Sequence, residues 1–63
     1  MTKEEERQNI LDYKEKVREQ YKIAEKTGSE YEANKANKMY GRLIYFGNKY
    51  QQDYGEPIDV FLS

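Results

Sequence analysis

The chain has 63 residues, a formal net charge of −1, and neither Cys nor His. Those absences exclude thiol catalysis, disulfides, imidazole general-base chemistry and the usual zinc sites. Leu, Ile, Val and Phe number only 11, a thin supply for a domain of this size, which buries about 60% of the surface its unfolded chain exposes.

Seven tyrosines add buriable area, and the near-zero charge does not hold the chain open. A folded, core-poor single domain spanning residues 1–63 is expected, one that gains from a partner or a second copy. The small hydroxyls are Thr2, Thr27, Ser29 and Ser63, with no imidazole to activate them. Neither catalysis nor a cofactor is expected. The opening Met1-Thr2-Lys3-Glu4-Glu5-Glu6 is charged and has no apolar run behind it. No segment approaches the ~20 apolar residues of a membrane span, and the missing cysteines fit a reducing compartment. A cytoplasmic location without membrane contact follows as an expectation.

In chain order, Thr2-x-x-Glu5 has the spacing of a capping box, which starts a helix by offering a hydroxyl acceptor at the N-cap and a carboxylate at the third helical position. Gly28 supplies a left-handed residue to close it. This predicts helix 1 at about 3–26, followed by the turn 27–29. Ile10, Tyr13, Val17, Tyr21 and Ala24 make one narrow apolar stripe, with Leu11 and Ile23 off it. The remainder is charged and self-cancelling. Asp12–Lys16, Glu15–Arg18 and Glu19–Lys22 are spaced for pairs worth a few tenths of a kcal/mol each.

Ser29-x-x-Glu32 repeats the box. Gly55 can end the second helix, and Pro57 cannot continue it. This predicts helix 2 at about 30–54, antiparallel to the first across a short connection. Ala33, Ala36, Tyr40, Leu43, Gly47, Tyr50 and Tyr54 recur three and four apart, the seam spacing of a coiled coil. Met39, Ile44 and Phe46 widen that seam beyond what one narrow helix covers. The surplus either packs on helix 1 and the tail or on another chain. As an oligomer seam it comprises Ala36, Tyr40, Leu43, Gly47, Tyr50 and Tyr54.

The tail, 55–63, carries Ile58, Val60, Phe61 and Leu62. Three readings stand: it folds back over Met39 and Phe46, it forms a helical turn begun at Pro57, or it adds as an extended peptide to a partner. The fold class expected is thus all-α, an antiparallel two-helix hairpin with a short tail, extended or one helical turn, packed on it. A homodimer would make a four-helix bundle.

The outer face of helix 2 is the one charged surface with a bias. Lys35, Lys38, Arg42 and Lys49 lie between Ala33 and Gln52 with no acid among them. Tyr31 and Tyr45 share their arc. Tyr and Arg bring large contact area with few rotatable bonds, and an acidic surface on a larger protein is their complement. The expected partner site is Tyr31, Lys35, Lys38, Arg42, Tyr45 and Lys49, with Ile58, Val60, Phe61 and Leu62 adding apolar contact. The same face suits phosphate contacts and base stacking, so a dimeric nucleic-acid binder is the alternative. A purely structural oligomerisation module is the third reading. Glu30/Glu32 and Glu56/Asp59 lack the spacing of a cation loop, and no metal is expected.

The run Tyr31-Glu-Ala-Asn-Lys-Ala-Asn-Lys-Met-Tyr-Gly-Arg-Leu-Ile, with Gly55 and Val60-Phe61-Leu62 behind it, resembles the first helical pair of small bacterial HEAT-like domains of unknown function. There an Ala-Asn-x-x-Tyr-x-x-Leu helix precedes a Leu-rich helix and a further repeat. Ala36-Asn37, Tyr40 and Leu43 match that pattern. The sequence stops at Ser63, where the family continues into its next helices. The resemblance implies a stand-alone capping hairpin and protein binding, since similar domains occur beside toxins as immunity partners. The expected function is a steric inhibitor or adaptor on a larger protein, and its small size and simplicity suggest a phage or immunity type.

Overall fold

The computed structural model describes residues 2–57 and Phe61. Among them the chain forms two helices and no strand: α1, Lys3–Thr27, and α2, Glu30–Tyr54. The protein is an all-α helical hairpin. Each helix has 25 residues, or about 37 Å at 1.5 Å per residue. The molecule measures 38 × 19 × 16 Å, so the helices lie side by side over their full length.

The ends are built by local chemistry. Thr2 Oγ1 accepts from the Glu5 N–H at 3.2 Å, and Ser29 Oγ from the Glu32 N–H at 3.4 Å. Caps of this kind are worth about 1 kcal/mol each. Gly28 and Gly55 close the two helices at φ 66° and 71°, and their N–H groups donate to Ala24 O and Gln51 O at 2.9 and 2.7 Å. Glu4, Glu5 and Glu6 in the first turn of α1 and Lys26 in its last complement the helix dipole. Helix 1 runs one residue past its expected end. Thr27 stays helical because its hydroxyl donates to Ile23 O at 2.8 Å, while the same oxygen accepts the Ser29 N–H at 3.3 Å.

That last bond changes the second capping box. With Ser29 N–H satisfied by Thr27, the Glu32 carboxylate is released to the other helix. Gln20 Nε2 donates to Glu32 O at 3.2 Å and to the Glu32 carboxylate. Gln20 is buried, so this bond, rather than a hydrophobic contact, clamps the closed end of the hairpin.

The core is Ile10, Val17, Leu43, Tyr50 and Phe61, with Leu11, Tyr13, Met39 and Tyr54 packed around it and Ala36 buried beside it. The heptad-spaced positions Ala36, Leu43, Gly47 and Tyr50 are thus buried within the single chain. Tyr40 and Tyr54 retain partial exposure. The seam expected to face another copy is mostly consumed by the chain's own fold.

Phe61 requires a correction. It was expected on a partner surface, but it is 0% exposed and stands edge-on to Tyr50, centroids 5.3 Å apart at 90°. Phe61 lies on the Val17–Leu43–Tyr50 cluster. Phe46, which the tail was expected to cover, remains 39% exposed. Ile58, Asp59, Val60 and Leu62 lie outside the described residues. No helix among the described residues is long and apolar enough to cross a membrane.

Candidate functional site

The arc of α2 turned away from α1 is set by the burial of Ala36, Leu43 and Tyr50, which fixes the helix's rotation about its axis. Tyr31 is 73% exposed and Tyr45 63%. Lys35, Lys38, Arg42 and Lys49 are exposed beside them. Ion pairs occur among the described residues at Lys3–Glu56, 3.2 Å, and Arg18–Glu15, 3.7 Å. The four cations of the α2 face have no carboxylate within ion-pairing distance among the described residues. The predicted basic and tyrosine positions are thus all exposed along α2, with no ion pair to the cations among the described residues. The acids sit elsewhere: Asp12 accepts from Gln8 at 2.9 Å, and Glu15 holds Arg18.

Beside that face lies a feature the sequence reading missed. An open groove of about 330 Å³ runs between the start of α1 and the end of α2. Its floor is apolar: Ile10, Tyr13, Phe46 and Tyr50. Lys49 stands on the wall that adjoins the basic face, and Glu6 and Asp53 are acidic lining groups. Three rings lead into it from outside. Tyr45 meets Phe46 at 5.8 Å and 65°, and Phe46 meets Tyr13 at 5.6 Å and 83°. These are edge contacts of the favourable kind, worth about 0.5–1.5 kcal/mol each beyond buried area. The Tyr13 hydroxyl is buried and has no hydrogen-bond partner among the described residues.

On the opposite side of the hairpin, Tyr21 and Tyr40 bridge the helices. Their rings are 6.5 Å apart, and Tyr21 OH donates to Asn37 Oδ1 at 2.9 Å. The open end is locked by charge. Tyr50 OH donates to Glu56, whose other oxygen holds Lys3 at 3.2 Å, and the Lys3 ammonium also lies 6.0 Å from the centre of the Tyr54 ring. Burial first, and then Glu56, push the Tyr50 phenol up to about 12. The Tyr50 hydrogen bond, then Lys3, hold Glu56 below the ordinary carboxylate value. A hydrogen bond with Glu6, then burial, raise Tyr54. These groups have structural partners, and so do two carboxylates: Glu32 is engaged by Gln20, and Glu56 by Tyr50 and Lys3.

The sequence held a usable signal for Gln20, which follows Val17 by three and precedes Ala24 by four, on the apolar stripe. It held none for the groove, because a helical wheel does not show which edge of a wide seam its neighbour leaves open. Comparison with protein-family models, curated protein sequences and solved structures finds no match.

Proposed function

We propose that this chain is a small non-catalytic protein-binding module that covers a surface of a larger protein, as a steric inhibitor or adaptor. The observation that carries the reading is the α2 face. Two tyrosines stand 73% and 63% exposed among four cations that no carboxylate of the described residues pairs with. A chain with so few apolar residues leaves two of its largest side chains in water. Tyr45 touches the Phe46 ring at its edge and is otherwise in water. Tyr and Arg are the side chains that dominate binding hot spots, at about 2 kcal/mol or more each. Tyr31, Arg42 and Tyr45 are assigned as anchors, and Lys35, Lys38 and Lys49 as steering charges. The burial of Ala36, Leu43, Gly47 and Tyr50 inside one chain supports this reading over an oligomerisation module.

The test compares the natural chain with the double variant Arg42→Ala/Tyr45→Ala as bait in its source lysate, with and without nuclease. Both positions are exposed, so circular dichroism should show unchanged helicity. Stoichiometric capture of one protein, surviving nuclease and lost in the variant, is the expected result. Capture that the double substitution leaves intact would refute the assigned face. Recovery that disappears with nuclease, with steep weakening in salt, would transfer the face to nucleic acid.

A further inference from the structure

We propose that the groove between the start of α1 and the end of α2 is the anchor pocket of this binding face, and that it takes an apolar side chain of an acidic, amphipathic helix of the partner. The inference rests on the protein-binding reading and specifies its chemistry.

Three observations converge. The groove's floor is apolar, yet it is open to water, and Phe46 stays 39% exposed although the tail had the apolar residues to cover it. The groove is continuous with the basic face: Lys49 belongs to both, Tyr45 touches Phe46, and Arg42 is one helical turn from Phe46. Tyr13, which lines the groove, has a buried hydroxyl without a partner among the described residues, and such groups normally find one.

The charge pattern selects the occupant. Lys35 and Lys49 are about 21 Å apart along α2 at 1.5 Å per residue, with Lys38 and Arg42 between them. Carboxylates on one face of a partner helix of similar length match that row, while a Phe or Leu on the adjoining face reaches the groove. Glu6 and Asp53 make the far end of the groove acidic. They therefore oppose continuation of the acidic row and set its direction, with the partner's acids lying over Lys35, Lys38 and Arg42. A polyphosphate strand has no apolar side chain for the groove and meets repulsion from the same two acids.

The test is a nuclear magnetic resonance titration of the isotope-labelled full chain. The probe is an uncharged-ended helical peptide of roughly five turns with glutamates along one face and Phe and Leu one turn apart beside them. Three controls are run: the same peptide with Phe and Leu changed to Ala, the peptide with its glutamates changed to Lys, and a single-stranded oligonucleotide. Shifts centred on Tyr13, Phe46 and Lys49, with affinity reduced about tenfold or more by either peptide change, are the expected result. Lys49→Glu should weaken binding similarly, and its exposed position leaves the fold intact. No binding, or binding insensitive to loss of Phe and Leu, overturns the pocket. Shifts with the oligonucleotide alone overturn it in favour of nucleic acid. If the peptide fails while capture that depends on Arg42 and Tyr45 persists, the pocket falls and the protein-binding reading stands. If both fail, both fall.

Discussion

Phe61→Ala separates a core residue from a partner contact. The ring is fully buried and packs edge-on against Tyr50. A Phe side chain buries about 150–250 Å², which at about 25 cal/mol per Å² is about 4–6 kcal/mol. Residual burial in the unfolded chain trims this to about 3–5 kcal/mol, the same range that large-to-small core substitutions show. A domain of this length has about 3–9 kcal/mol of stability in all. The variant should therefore lose most of it, with a fall in Tm of roughly 12–40 °C. Urea unfolding followed by far-ultraviolet circular dichroism reads this directly. Tyr31→Ala is the control, since removing a ring that stands in water should move stability by less than about 0.5 kcal/mol. A loss below about 1 kcal/mol for Phe61→Ala would refute the reasoning and return Phe61 to the surface.

Other outcomes follow from single features. Tyr13→Phe removes the unpartnered hydroxyl and should leave stability unchanged or raise it by about 1 kcal/mol; a clear loss in urea unfolding would reveal a partner. Gly41 lies in the interior of α2 with open space where a Cβ would stand, so Gly41→Ala should stabilise by about 0.5–1 kcal/mol. Gly28→Ala, at φ 66°, should instead destabilise by about 1–2 kcal/mol; equal effects at the two sites would contradict the left-handed cap. The Tyr50–Glu56 bond makes stability depend on pH at both extremes. The folded phenol is pushed up to about 12 from an ordinary 10.0, so its contribution is full below pH 10.0 and lost as pH rises from there toward 12. Glu56 is held below its ordinary 4.5, so its contribution is full above that value and lost as pH falls beneath it. Glu56→Gln should lower the Tyr50 titration point, read by phenolate absorbance, and shrink the acid-side loss. An unmoved titration would show that the bond does not form in solution.

The sequence alone determined the elements that rest on nearest neighbours. Thr2 and Ser29 start helices because a hydroxyl two or three residues upstream satisfies a free N–H, and Gly28 and Gly55 end them because only glycine enters the left-handed region without strain. The short turn then requires antiparallel helices. The outward arc carrying Tyr31, Lys35, Arg42 and Tyr45 was legible for the same reason, since helical periodicity fixes which residues share a face. The second capping box was legible only in part, because Glu32 serves its own helix until Gln20 offers a better-buried partner twelve residues away. Tertiary structure alone decided where Phe61 lands. The tail's apolar residues fitted a partner groove and the hairpin's own core equally well by composition, and the choice turns on the gap between Val17, Leu43 and Tyr50. Once the ring fills that side, the other edge of the wide α2 seam is left uncovered. The open groove at Tyr13 and Phe46 therefore arises from long-range packing, which no local pattern encodes.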